Sequence, residues 1–188
     1  MKIAVLGGRF DPPHIGHLLI AQQVLELRPE IDKVLLVPAN KHNWKEIVAS
    51  PSQRIEMLKN FEGNGIEISD NEIRRGGTSY AIDTINSLTE ETGAEIFWIV
   101  GSDIVAEFHK WKKPEELLEA ATFLVFPRDP YKLPEVLPDG FELISSPDLI
   151  VTNLSSSAIR KRIKMGKSIK NLVPEKIEKF IIDNDLYV

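Results

Sequence analysis

Residues 2–17, KIAVLGGRFDPPHIGH, run a short apolar stretch into two glycines, two prolines and two histidines. Gly7 and Gly8 let a ligand approach the backbone and tolerate unusual dihedrals. Pro12 and Pro13 stiffen the loop. His14 and His17 are three positions apart, so on a helix beginning here they share one face near its N-terminus. Free N–H groups and the helix dipole make such an end attractive to anions. Two imidazoles added there supply donors that can follow charge as it develops on a phosphate. A tight turn with a capping histidine explains any one of these residues alone. It does not explain the whole string, because a turn needs neither two histidines nor Arg9. A metal site is the weaker alternative: no carboxylate follows at zinc spacing, and His42 and His109 lie far off in sequence. The string is neither the G-x-G-x-x-G dinucleotide fingerprint nor a G-K-[ST] phosphate loop.

A second candidate anion site is NLSSSAIRKRIKMG, residues 153–166. Ser155, Ser156 and Ser157 fit an N-cap and first turn, with Arg160 one turn further on. Hydroxyls, free N–H groups and a guanidinium together suit a polyphosphate. Alone, the stretch reads as an ordinary serine cap ahead of a solvated basic face. Paired with the first site, the polyphosphate reading is the stronger.

Positioning these two sites requires an ordered frame. Lys2–Gly7, Lys33–Pro38, GIEISD, Glu95–Asp103 and Thr122–Pro127 read as buried strands, apolar along their length instead of alternating. Helical patterns follow most of them: His17–Arg28, Pro51–Phe61, Ser79–Thr92, PEELLEAA, and two closing helices in SSSAIRKRIKMG and PEKIEKFIIDNDLY. After the last of these strands a proline-rich stretch runs to about Pro147. Continuous strands alternating with helices predict a Rossmann-like, doubly wound parallel sheet in one α/β domain spanning 1–188. The chain of 188 residues is long enough to bury a sizeable core. Its net charge of −5 argues against a broad nucleic-acid footprint. With no cysteine, disulfides and thiolate metal sites are excluded. No apolar run approaches the roughly 20 residues of a membrane span, and none fits a signal peptide. The expectation is a cytoplasmic protein that binds no membrane; the sequence leaves a homo-oligomer open.

The literal HIGH at 14–17 resembles the nucleotide-binding signature of the nucleotidyltransferase superfamily. KMGKS at 164–168 looks like the lysine-rich signature of class I aminoacyl-tRNA synthetases, but the chain is too short for their further modules. SSSAIR resembles the SSTxIR of small adenylyltransferases instead. Four stretches then match one family, the bacterial nicotinate-nucleotide adenylyltransferases. GGRFDPPHIGH is similar to their GGTFDPxHxGH. IRRGGTSYAIDT is similar to RxGxSYTxDT, and IVGSDIVAEFHKW to GxDxxxxxxxW. The closing LSSSAIRKRIKMGKSIKNLVPEKIEKFIIDNDLY resembles theirs almost throughout. Arg9 stands where threonine or serine is usual, and PANKHNWK keeps only Pro38 and Lys45 of the usual P-x-x-x-P-P-H-K.

The resemblance implies transfer of AMP from ATP to nicotinate mononucleotide, with His14, His17 and Arg160 catalytic. It implies Gly7, Gly8, Arg9, Phe10, Gly101, Asp103, Ser156, Ser157 and Ile159 for ATP. For the pyridine nucleotide it implies Asp11, Lys45, Thr78, Ser79, Tyr80, Trp111 and Arg128. Mg²⁺ is expected to arrive on the ATP phosphates, without a dedicated protein metal site. Departures at Arg9 and residues 39–45 leave nicotinamide mononucleotide as a rival substrate. A phosphopantetheine adenylyltransferase shares the first motif but lacks the GSD…W and TSYAIDT stretches. A non-catalytic adenine-nucleotide sensor on the same fold is opposed by intact His14, His17 and Arg160.

Overall fold

The computed structural model describes residues 1–41, 46–129, 131 and 133–188. Six strands form one sheet: β1 (Lys2–Gly8), β2 (Lys33–Pro38), β3 (Ile66–Ile68), β4 (Glu95–Gly101), β5 (Thr122–Phe126) and β6 (Phe141–Leu143). Their order is β3-β2-β1-β4-β5-β6, and every neighbouring pair is parallel. Eight α-helices connect and cover them: α1 (Ile15–Leu27), α2 (Pro51–Leu58), α3 (Asn71–Arg75), α4 (Ala81–Thr92), α5 (Ser102–Val105), α6 (Pro114–Ala120), α7 (Ser156–Lys164) and α8 (Glu175–Asp183).

Because side chains alternate across a strand, each buried strand feeds two cores. Ala4, Leu6, Leu36, Phe97, Ile99 and Leu124 pack on one face with residues of α1, α2 and α8. Ile3, Val5, Val37, Trp98, Val100 and Phe123 pack on the other with α4 and α6. This two-sided burial is why the strands read as continuous apolar runs. The proline-rich stretch, where no strand was expected, contributes the edge strand β6. Its Phe-Glu-Leu buries only Phe141, so it lacks the apolar run that marks the other strands.

The strand order reverses direction at β1, which has β2 on one side and β4 on the other. At such a switch point the crossovers leave in opposite directions and open a crevice beyond the carboxyl ends of the strands. β1 delivers Gly8 to that crevice and β4 delivers Gly101. Among the described residues, no helix is long and apolar enough to cross a membrane.

Candidate active site

The loop after β1 is shaped by close packing. A Cβ on Gly7 would lie 2.7 Å from Trp98 Cζ2, so the missing side chain makes room for the indole. Phe10 holds a φ of 49°, a left-handed backbone that a bulky residue adopts only when its surroundings impose it. Its ring, 1% exposed, lies 4.8 Å from the His17 ring.

His14 is the N-cap of α1, and its N–H donates to His17 Nδ1 at 3.1 Å. The two rings stack at 3.7 Å. With Nδ1 accepting from the backbone, neutral His17 carries its proton on Nε2, its remaining hydrogen-bonding atom. His14 Nδ1 is buried and has no partner among the described residues. Burial, then the charge of Arg128, pushes His14 down to about 3. Burial, then His14 and Arg128, pushes His17 well below the ordinary range. Both imidazoles are therefore neutral near pH 7 in the ligand-free protein.

The second motif meets the first. Ser155 caps α7, its Oγ accepting from Ala158 N–H at 3.2 Å. Ser156 Oγ donates to the Pro12 carbonyl at 2.8 Å, and Arg160 Nη1 donates to the Asp11 carbonyl at 2.7 Å. Two helix N-termini, separated by about 140 residues of sequence, thus flank one loop. They open on a cleft of about 950 Å³, whose lining includes Gly7, Gly8, Arg9, Phe10, His14, His17, Ser156 and Ser157. A volume near the upper end of ordinary ligand pockets suits two nucleotides better than one small molecule.

Gly101, Asp103, Ser79, Tyr80, Trp111 and Arg128 also line this cleft. Asp103 Oδ1 is buried without a partner among the described residues and sits directly against Gly101. Arg128 Nη1 lies 3.4 Å from Asp103 Oδ2. Arg128, expected at the pyridine nucleotide, thus stands beside Asp103, which was expected at ATP. Ser79 Oγ accepts from Asn40 N–H at 2.9 Å, and Lys112 Nζ stands 4.3 Å over the Tyr80 ring. Trp111 packs obliquely on Phe108, 5.6 Å away. Thr78 is half-buried next to Ser79 and is not part of the lining. Lys45 lies outside the described residues.

Two expectations are corrected. Asp11, grouped in sequence with the pyridine-nucleotide ligands, is fully buried. Its carboxylate accepts from Val48 N–H (2.7 Å), Ala49 N–H (3.0 Å) and the Tyr187 hydroxyl (2.8 Å). It holds the loop from beneath and is closed off from any ligand. Ile159, expected at ATP, points its side chain into the core at 0% exposure, because its place on α7 faces the sheet.

Sequence reasoning missed the partners of Asp11. Arg54, fully buried, donates Nη1 to the Arg9 carbonyl (2.9 Å) and Nε to the Ala49 carbonyl (3.2 Å). An arginine inside the apolar pattern of α2 was the available signal. Tyr187 gave none, since it sits 176 positions from Asp11. Burial, then Asp11, raises its hydroxyl far above the ordinary tyrosine range, so it stays a donor. Burial, then repulsion from Arg160, lowers Arg9, whose Nη1 donates to the Glu46 carbonyl at 3.2 Å. Among the described residues, no group of three or more His, Cys, Asp or Glu could hold a metal ion.

Residues 5–162 match the cytidylyltransferase-like family model. A Thermotoga maritima protein named "Probable nicotinate-nucleotide adenylyltransferase" is 39% identical over 185 residues, covering 95% of this chain and 89% of its own. A Halalkalibacterium halodurans protein of the same name is 38% identical over 192 residues, covering 99% and 91%. In fold, the chain is similar to Plasmodium falciparum nicotinic acid mononucleotide adenylyltransferase complexed with NaAD, with a TM-score of 0.85 at 22% identity over 99% of this chain and 97% of that one. With near-complete coverage at close to 40% identity, and with the histidine and serine motifs meeting across one cleft, the chain belongs to the nicotinate-nucleotide adenylyltransferase family.

Proposed function

We propose that the protein transfers AMP from ATP to nicotinate mononucleotide, giving deamido-NAD and pyrophosphate. The observation that carries this reading is the meeting of two anion-binding helix N-termini, α1 and α7, on one cleft large enough for both nucleotides. A phosphate oxygen of the mononucleotide attacks the α-phosphorus of ATP in line. The new P–O bond forms as the bond to the β-phosphate oxygen breaks, and pyrophosphate leaves. The attacking monoester is already anionic at neutral pH, so neither a protein nucleophile nor a general base is needed. Catalysis is positioning and charge stabilisation.

His14, His17, Arg160 and Arg9 take the ATP phosphates, with Ser156 and Ser157 on the outer ones and Arg128 supporting them. Gly101 and Asp103 lie along the ATP ribose, and Ser79, Tyr80 and Trp111 along the pyridine nucleotide. The imidazole, guanidinium and hydroxyl donors here suit phosphate oxygens; Mg²⁺ would come bound to the ATP phosphates rather than to a protein cluster and would supply further charge neutralisation. The setting is cytoplasmic.

The test is pyrophosphate release from ATP and Mg²⁺ with nicotinate mononucleotide and, in parallel, with nicotinamide mononucleotide. A large preference for the nicotinate form is expected. Preference for the amide would move the enzyme to the other pyridine substrate; no release with either would remove the function.

Protonation offers an independent check. Burial, the first cause of the low His14 value, sets an acid stability that unfolding measured as a function of pH can follow. His14 titrates at about 3 in the fold against an ordinary 6.5, so its contribution is fully present above pH 6.5 and is lost as pH falls toward 3.

A further inference from the structure

Between β6 and α7 the chain runs from residue 144 to 155 without regular structure. Segments of that length in a compact fold usually carry function. This one supplies Ile150, Thr152, Leu154 and Ser155 to the cleft, immediately before the serines of α7. Its position is fixed from an unexpected place. Gln23, on α1, is only 6% exposed. Its Oε1 accepts from Ile150 N–H at 2.7 Å, and its Nε2 donates to the Ile150 carbonyl at 3.1 Å. The second Nε2 hydrogen goes to the Leu19 carbonyl at 3.1 Å, one turn back on the same helix. Both amide hydrogens are used and the oxygen is engaged, so the side chain has one orientation.

The Gln23 amide thus pairs with one residue of the segment as a neighbouring strand would. Among the described residues, these are the only hydrogen bonds joining the main chain of residues 147–154 to another element; the other local bonds run to Ser146 and Thr152. Asn153 adds only an exposed side-chain contact to Asp129. Thr152 is set close to α1: its Cγ2 would lie 3.2 Å from a Cβ on Gly16. The wall of the cleft beside the phosphate loop therefore takes its register from Gln23, through the helix that bears His17.

We infer that Gln23 is a positioning residue for the purine base of ATP. The inference rests on the proposed adenylyl transfer, which puts the ATP phosphates at α1 and α7 and leaves the base on the 150–155 wall. Gln23 touches no substrate. It holds the backbone against which the base is read, and so governs which nucleoside triphosphate is accepted.

The experiment compares wild type, Gln23→Leu and Gln23→Glu in pyrophosphate release, varying ATP and nicotinate mononucleotide separately with Mg²⁺, then replacing ATP by GTP and CTP. Gln23→Leu should raise KM for ATP about tenfold, leave KM for the mononucleotide within twofold, and narrow the preference for ATP over GTP and CTP. Gln23→Glu keeps the acceptor for Ile150 N–H but turns its second oxygen on the Ile150 and Leu19 carbonyls, and should raise KM for ATP at least as much. A merely structural role would lower the melting temperature and the amount of active enzyme while leaving both KM values unchanged. That result, or an equal rise in both KM values, would overturn the inference. An inactive wild type would instead remove the underlying function, and is seen before any variant is made.

Discussion

His17→Ala is expected to lower kcat by about 10²–10³, the usual cost of deleting one donor aimed at developing charge. The His17 ring lines the cleft, and the His14 N–H occupies Nδ1, which commits the Nε2 proton to the ligand side. Packing loses the stack on His14 at 3.7 Å and the contact with the Phe10 ring at 4.8 Å. The hydrogen-bonding loss is one cap on the His14 N–H, worth about 1 kcal/mol. In a chain of this size that lowers the melting temperature by roughly 2–4 °C. His17→Gln separates the two roles, since glutamine three residues after an N-cap can satisfy the same N–H. It should regain the melting temperature and stay slow. Turnover equal to wild type in either variant would defeat the assignment, as would a kcat loss that tracks the unfolded fraction.

Asp11→Asn tests the other side of the loop and should act on stability first. The carboxylate serves three donors at 0% exposure and is the strongest opposing charge acting on buried Arg54. Removing its charge weakens the field that offsets the buried Arg54 guanidinium, to which Glu72 also contributes. The amide's own hydrogens must also face groups that are themselves donors. Losing a charged acceptor in this way costs about 1.5–3 kcal/mol, against a total of about 5–15 for a typical domain. A drop in melting temperature of roughly 3–12 °C follows. Tyr187→Phe removes one of the three donors and should cost only about 1–2 kcal/mol, as a single buried hydrogen bond does. Thermal unfolding of both variants checks this. An Asp11→Asn protein melting within about 2 °C of wild type would show that the network contributes little.

The sequence revealed the parts of this molecule whose signals are local. Strands buried on both faces announce themselves as apolar runs, and Ser155, Pro51 and Gly93 mark helix ends by cap and turn chemistry. The HIGH and SSSAIR stretches were legible because glycine, histidine and serine are poor choices for packing. What remained hidden were contacts across distant segments. Asp11 lies in a motif rich in residues that line the cleft, and nothing in the string shows that its side chain turns inward. Gln23 reads as one more polar residue on a helix until Ile150 is placed beside it, 127 positions away. β6 buries only Phe141 and so lacks an apolar run, and five-residue α3 is shorter than two turns of helix.

The reach of the Tyr187–Asp11 bond, 176 positions, bears on how the protein is born. Synthesis is vectorial. A ribosome that has delivered residues 1–150 has released both histidines, yet Ser156, Arg160 and Tyr187, which grip their loop, do not exist. The nascent chain carries the signature without the pocket. Nucleotide held between both motifs can therefore stabilise only molecules whose translation has passed Arg160, and the phosphate loop emerges early and waits longest to be set.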